Sequence, residues 1–410
     1  MAYSASSTMS VFLETSHTAR SQARTGIQTV VRGLAGGFSS QGVSWLPVRW
    51  SFKKEALTPL KRSWERNLGL PGDGALWLPP ESLLRARHWS VWKESLGMSY
   101  KTPLDRHPAH GEQLSSSWLL LPELMEGCHV RRVAAYARRQ GMRVAAIFHD
   151  AIAWLHPEMV RHWTQEQHRD YMEALTELDV VVAVSTQAQK DFHAFVESQK
   201  LPEPRLAACP LAAEIPGERR ETSWSEPSGT VLKILCVSTL EPRKNHRQVV
   251  EAFQRATARL PAAALELHLA GAEYPSAPEI AGFVREKTQT DSRIFWHESV
   301  AAEDLRKLYR GCAFTVFGSG IEGFGLPVLE SLWFGKPCLC SDEGVMAENA
   351  VAGGCLIVDV FDTQALAEGM VQLAAEPGLR RKLGEEAVTR PLKTWKDYSR
   401  GILEILAASC

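Results

Sequence analysis

The chain has 410 residues, with 46 Lys+Arg against 47 Asp+Glu and a net charge of −1. That length exceeds what one hydrophobic core fills, so two domains are expected. The near-zero charge excludes a global attraction to nucleic acid or acidic lipid, and 45% hydrophobic with 23% charged residues is the make-up of an ordinary globular protein.

The N-terminal stretch "MAYSASSTMSVFLETSHTAR" has no basic segment followed by an apolar one, so it does not read as a secretory signal. No uncharged apolar run approaches the roughly 20 residues a membrane helix needs. Eight cysteines form no CxxC and no Cys/His pair with zinc-ligand spacing. Runs such as "ILCVS" and "PCLCS" read as buried free thiols, and a reducing cytoplasmic compartment is expected.

Next, "TGIQTVVRGLAGGF" predicts a helix ended by its glycines, with Gly26 just inside its start. Residues 50–110 are rich in Trp, Pro and Arg and show no period, which predicts an irregular, substrate-facing insertion. Nine of the 13 tryptophans precede residue 221; indole faces can serve as a stacking platform but are more often core. "WLLLPEL", "RVAAIFHD" (143–150) and "DVVVAVS" (179–185) predict apolar strands. "GERRETSWSEPSGT" (217–230) is polar and breaker-rich, and predicts an interdomain linker. The expected domains are therefore 1–221 and 222–392, with a final amphipathic helix in 393–410 joining the first.

The second half alternates more plainly. Strands are predicted in 231–240, 264–271, "SRIFWHESV", "AFTVFGS", "KPCLCSD" and "GCLIVDV". Helices are predicted in "HRQVVEAFQRATARL", near 277–289, in "AAEDLRKLYRGC" and in "GLPVLESLWFG". Apolar strands alternating with helices predict an α/β fold with doubly wound parallel sheets. Two such Rossmann-like units imply a cleft, with ligands beyond the carboxyl ends of the strands.

The stretch "IEGFGLPVLE" (321–330) falls at such an end, and Pro327 suits the first turn of the following helix. Gly323 and Gly325 let backbone approach a ligand, and the amides of Phe324, Gly325 and Leu326 would face it at a helix N-terminus, which attracts phosphate. Glu322 and Glu330, eight positions apart, would be repelled by that phosphate. They should instead accept hydrogen bonds from hydroxyls on either side of it, as a nucleotide-diphosphate sugar offers. In "EPRKN", Lys244 and Arg243 are cations placed to stabilise a departing diphosphate, although Arg243 reads equally well as part of a solvated turn. His149 and Asp150 close a strand at its carboxyl end. His149 is favoured as an active-site residue; Asp150 could orient it, accept from an acceptor hydroxyl, or cap the next helix. Ser185 ends another strand, with capping as its simplest role, and Glu298 in "HESV" carries no assigned side-chain role. No D-x-D occurs, so a metal held by paired acids is not expected.

"EGFGLPVLE" with "STLEPRKN", "DLRKLYRGC", "FHD" and "RTGIQTVVR" resembles the retaining glycosyltransferases of family four, which have the GT-B fold. The likeness covers most of 140–400 and a piece of the N-terminus. It implies that Glu322 binds the donor sugar near its anomeric centre, Glu330 the ribose, and the amides of Phe324 and Gly325 the diphosphate. It gives Lys244 the phosphate, places His149 against the donor, and makes Gly26 part of a glycine loop near the diphosphate, with Arg24 beside it. The family usually has an arginine six residues before the lysine; here Ser238 stands there, and Arg243 would have to replace that charge. The resemblance implies metal-independent transfer of a hexose, without a cofactor, by a front-face mechanism. The donor would be a nucleotide sugar (GDP-mannose or dTDP-rhamnose favoured, UDP-sugar allowed). The acceptor would be a glycan or lipid-linked glycan, with peripheral contact at the cytoplasmic membrane face. A nucleotide-sugar epimerase and a non-catalytic sugar-nucleotide binder are the rival readings; an NAD-dependent oxidoreductase lacks its G-x-G-x-x-G.

Overall fold

The computed structural model describes residues 9–21, 26–69, 103–104, 114, 117–160, 164–227, 229–261 and 264–409. The chain forms two compact units. One holds residues 1–151, 165–212 and 393–410; the other holds 152–164 and 213–392.

The first unit is built on a seven-stranded sheet: β1 (Ser10–Glu14), β2 (Ser44–Ser51), β3 (Ala56–Pro59), β4 (Trp118–Leu121), β5 (Arg143–Phe148), β6 (Val180–Ala183) and β7 (Arg205–Ala208). Their order is β3-β2-β1-β4-β5-β6-β7, and every pairing except β2–β3 is parallel. The second unit carries β8 (Val231–Val237), β9 (Ala264–Ala270), β10 (Ile294–His297), β11 (Phe314–Val316), β12 (Cys338–Ser341) and β13 (Cys355–Val358), all parallel, ordered β10-β9-β8-β11-β12-β13. Helices cover both faces of such sheets, so strands like β4 (WLLL) and β6 (VVVA) are buried at every position. In each sheet the chain starts in the middle, winds out to one edge, then crosses to the other side. The switch points lie between β1 and β4 and between β8 and β11, where a doubly wound sheet opens its ligand crevice.

Six helices matter below: α1 (Gly26–Ser40), α2 (Gly127–Arg139), α3 (His246–Arg259), α4 (Ala302–Gly311), α5 (Leu326–Trp333) and α6 (Trp395–Ala407). The glycines expected to end α1 lie within it. A Cβ at Gly33 would sit 2.1 Å from the Trp395 ring, and one at Gly37 2.3 Å from Ser399 Oγ, so bare backbone is what lets α6 pack on α1. Helix α6 itself starts on a capping box, with Thr394 and Asp397 exchanging hydrogen bonds.

Two expectations change. The described part of 50–110 is not irregular: β2 and β3 form an antiparallel hairpin pairing Ser51 with Ala56, followed by a helical turn at Arg62–Glu65. Its tryptophans and prolines had hidden the strand alternation, and Pro59 is tolerated because β3 is an edge strand. Residues 70–102 lie outside the described residues. The stretch 217–230 is no free linker, because its described residues strap onto the second unit. Glu221 N donates to Trp333 O at 3.0 Å, and Arg380 Nη2 donates to Glu226 Oε1 at 2.5 Å. The Trp224 ring packs so closely on Gly384 that a Cβ there would lie 1.8 Å from it. Among the described residues, no helix is long and apolar enough to cross a membrane.

Candidate active site

The loop leaving β8 makes a short helical turn at Pro242–Lys244, and Asn245 then takes a left-handed conformation (φ 58°) before α3 begins. The Asn245 side chain anchors this turn by donating to Val360 O at 2.6 Å. The loop leaving β11 lies against it: Ser319 Oγ is 3.1 Å from Arg243 O and 3.3 Å from Ile321 O. The two loops of one switch point are thus fastened together, which fixes their side chains.

Glu322 is clasped there. Its Oε2 accepts from Arg243 Nη1 at 2.6 Å, and its Oε1 accepts from Lys244 Nζ. Arg243 Nε also donates to Glu241 Oε2 at 2.9 Å. Burial pushes the Glu322 carboxyl up, but Arg243 and Lys244 together outweigh burial and hold it down at about 2. Lys244 is drawn below its ordinary value by burial and by Arg243, against the pull of Glu322 and Glu241. Its ammonium lies 5.2 Å from the centre of the Phe317 ring. Arg243 is therefore part of the cluster rather than of a solvated turn, with a side chain only 18% exposed. Sequence alone aimed Glu322 at ligand hydroxyls; here two neighbouring cations hold its oxygens.

Ser238, at the position where a cation was expected, hydrogen-bonds His246 Nε2 at 3.0 Å. Burial and the Lys244 charge push the His246 imidazole down to about 3, so it stays neutral and does not replace the arginine. The only extra guanidinium brought to this cluster among the described residues is that of Arg243.

Gly325 precedes α5 with φ 82°, a left-handed turn that favours glycine, and Val328 N returns to its carbonyl at 3.1 Å. Phe324 is buried, and its carbonyl accepts from Asn349 Nδ2 at 2.5 Å. With the carbonyl pinned inward, the amides of Phe324 and Gly325 have no acceptor among the described residues. Gly323 lies half-buried in the same loop, and Leu326 opens the helix. One turn on, Glu330 Oε2 accepts from Tyr309 Oη at 2.8 Å. Burial raises the Glu330 carboxyl and the Tyr309 hydrogen bond opposes it.

His149, Asp150 and Gly26 belong to the first unit. His149 closes β5 and is buried; its Nε2 must carry the proton, because it meets Pro122 O, an acceptor only, at 2.8 Å. Burial depresses its pKa, against smaller opposing pulls from Pro122 and Asp150. The Asp150 carbonyl accepts from His168 Nε2 at 3.1 Å. Gly26 is exposed, and a Cβ on it would meet no described atom within 4 Å, so in this unit it is the first residue of a helix and nothing closer. Arg24 lies outside the described residues. Ser185 caps the next helix by accepting from Ala188 N at 2.9 Å.

Sequence reasoning missed four residues. Ser319, Tyr309 and Asn349 act on the motif from 2 to 25 positions away, distances at which spacing carries no signal. The fourth is Glu14, fully buried at the end of β1. Its Oε1 accepts from Trp50 N at 3.3 Å while Oε2 has no partner among the described residues, and Glu123 lies near it. Glu123 in turn accepts from Thr18 N at 2.6 Å and His17 N at 2.8 Å. Burial, then the charge of Glu123, pushes the Glu14 carboxyl up to about 8. At the start of α2, Glu126, Cys128 and His129 bring their ligand atoms within 4.8 Å of one another at the surface, a grouping their sequence spacing had not suggested.

Comparisons with known proteins bear on the fold and on the second unit. Residues 218–390 match the family described as "Glycosyl transferases group 1". The serotype-specific mannosyltransferase WbdA of Escherichia coli is 24% identical over 244 residues, covering 56% of this chain and 29% of WbdA. O-antigen chain mannosyltransferase B of Escherichia coli is 31% identical over 169 residues, covering 40% of this chain and 42% of that protein. The chain thus spans less than half the length of these curated relatives. Among solved structures, Anabaena HepE in complex with UDP and glucose superposes with a TM-score of 0.66 at 14% identity, covering 98% of this chain and all of that one. The fold is GT-B, two doubly wound α/β units each carrying a switch-point crevice. Within the second unit, residues 218–390 are similar to the group 1 glycosyl transferases.

Proposed function

We propose that the protein is a retaining glycosyltransferase that moves a hexose from a nucleotide-diphosphate sugar to a glycan or lipid-linked glycan. The observation that carries this reading is the clasp of Arg243, Lys244 and Glu322 at the β8/β11 switch point, beside the Phe324 and Gly325 amides that find no acceptor among the described residues as α5 opens. A diphosphate leaving group needs positive charge as its bond to the sugar breaks. Two fixed cations and a helix N-terminus meet that need from the protein itself, so the reaction is expected to run without a divalent metal. In a front-face transfer, the acceptor oxygen bonds the anomeric carbon on the side from which the phosphate leaves, and the acceptor's proton passes to the departing phosphate oxygen. Arg243 supplies the charge missing at Ser238. Glu322 keeps both cations in place and, being ionised throughout the physiological range, accepts from a donor-sugar hydroxyl. Glu330 takes the ribose.

The relatives' names point to a mannose donor, which favours GDP-mannose, while the UDP in the HepE complex keeps UDP-sugars within range. A thermal-shift screen against GDP-, UDP- and dTDP-sugars, followed by NMR of the product's anomeric configuration, tests the reading. Stabilisation by one nucleotide sugar, and an α-linked product from an α-donor with EDTA present, are expected. An inverted linkage, or epimerised donor in the absence of acceptor, overturns it.

A further inference from the structure

We infer that Tyr309 is a positioning residue for the donor nucleotide: its hydroxyl holds one oxygen of Glu330 so that the other is presented to a ribose hydroxyl. The inference rests on the ribose role proposed above for Glu330.

Tyr309 projects from α4 into a small apolar cluster with Leu235, Ala270, Cys312 and Phe334, and it is 1% exposed. Its ring stacks on Phe334 with centroids 4.9 Å apart and planes 14° from parallel. A phenylalanine would fill that space equally well, and a hydroxyl carried into such surroundings costs free energy unless it is bonded. The hydroxyl finds its acceptor in Glu330 Oε2 at 2.8 Å, which ties α4 to α5. Oε1 receives no hydrogen bond from any described residue.

A carboxylate fixed at one oxygen has lost most of its rotamer freedom before the ligand arrives, so binding does not have to supply that ordering. The bond also opposes the effect of burial on Glu330, favouring its ionised, hydrogen-bond-accepting form. Two consequences are therefore expected of the phenylalanine variant: weaker nucleotide binding and a shifted pH response.

The test is calorimetric binding of GDP and of UDP, which carry the same ribose, to the whole chain between pH 5 and 9. Tyr309→Phe should raise the Kd of whichever nucleotide binds by about tenfold, the scale of one hydrogen bond to a charged group. It should also move the acid limb of binding to higher pH, because Glu330 then takes up a proton more readily. Glu330→Gln should weaken binding by itself, and adding Tyr309→Phe to it should change little further. If Glu330→Gln leaves the Kd unmoved, the ribose reading of Glu330 falls, and this inference with it. If Glu330→Gln weakens binding but Tyr309→Phe shifts neither the Kd nor the pH limb, only the positioning role is overturned. A drop in Tm alone for Tyr309→Phe, with binding intact, has the same meaning, because it leaves Tyr309 a purely structural residue.

Discussion

Glu14 at the end of β1 and Glu322 beyond β11 are both withdrawn from water at the switch point of their own sheet, yet their protons are held in opposite ways. Burial acts upward on both carboxyls. Glu14 has Glu123 for company and one oxygen without a partner among the described residues, and its pKa is pushed up to about 8. Glu322 has Arg243 and Lys244, and is held down at about 2. Desolvation alone therefore does not decide the state of a buried acid; the sign of the nearest charge does. The first unit uses its acid as a neutral hydrogen-bonding group in the wall of the sheet. The second keeps a permanent anion that immobilises two cations.

The sharpest way to break this comparison is to remove the anion. Glu322→Ala should lower kcat by roughly 10²- to 10³-fold, the usual effect of losing a charge placed for the transition state, while nucleotide Kd changes only a few-fold. Transfer at near the parent rate would show that the clasp is structural. Next in size, the double variant Arg243→Met/Lys244→Met gives Glu322 surroundings like those of Glu14. Transfer should fall by about 10²-fold. An acid limb absent from the parent above pH 5 should also appear in the pH–rate profile, because burial then acts on Glu322 unopposed. A profile still flat down to pH 5 would mean that something besides the two cations holds the proton off.

A third test sits in the other unit and reads stability. The folded Glu14 carboxyl binds its proton more tightly (about 8) than the unfolded chain does (4.5). Its contribution is therefore complete below about pH 4.5 and is lost as the pH rises through about 8. Glu14→Gln, which does not titrate, should gain Tm relative to the parent between pH 5 and pH 9, at about 2–4 °C per kcal/mol. A constant difference across that range would place Glu14 in water in solution. The window for Glu322 is the reverse: its contribution is present above pH 4.5 and lost as the pH falls towards 2. The smallest effect is expected from Glu123→Gln. Removing that charge should lower the pH at which the Glu14 contribution disappears, and thermal scans of the variant beside its parent measure the shift.

Much of this was legible beforehand in the second unit, because the information there is local. A strand, a loop with bare backbone and a proline-started helix are contiguous in "AFTVFGSGIEGFGLPVLE", and Phe314–Val316, Gly325 and Leu326–Trp333 fall accordingly. The apolar runs of 231–240 and 264–271 contain β8 and β9. The first unit read poorly where tryptophan and proline obscured the alternation of β2 and β3.

By itself, the sequence determined the strands and helices around the site in the second unit, that the fold is built on doubly wound parallel sheets, and that acids, cations and open amides leave the carboxyl ends of those strands. These follow from periodicity and turn chemistry, which act over a few residues. Only the tertiary structure decided which charges meet. Arg243 reaches Glu322 across 79 positions, Tyr309 reaches Glu330 across 21, and Glu14 is buried near Glu123, 109 positions away. Coulomb and hydrogen-bond energies depend on separation in space and on the exclusion of water, and neither is written in residue spacing.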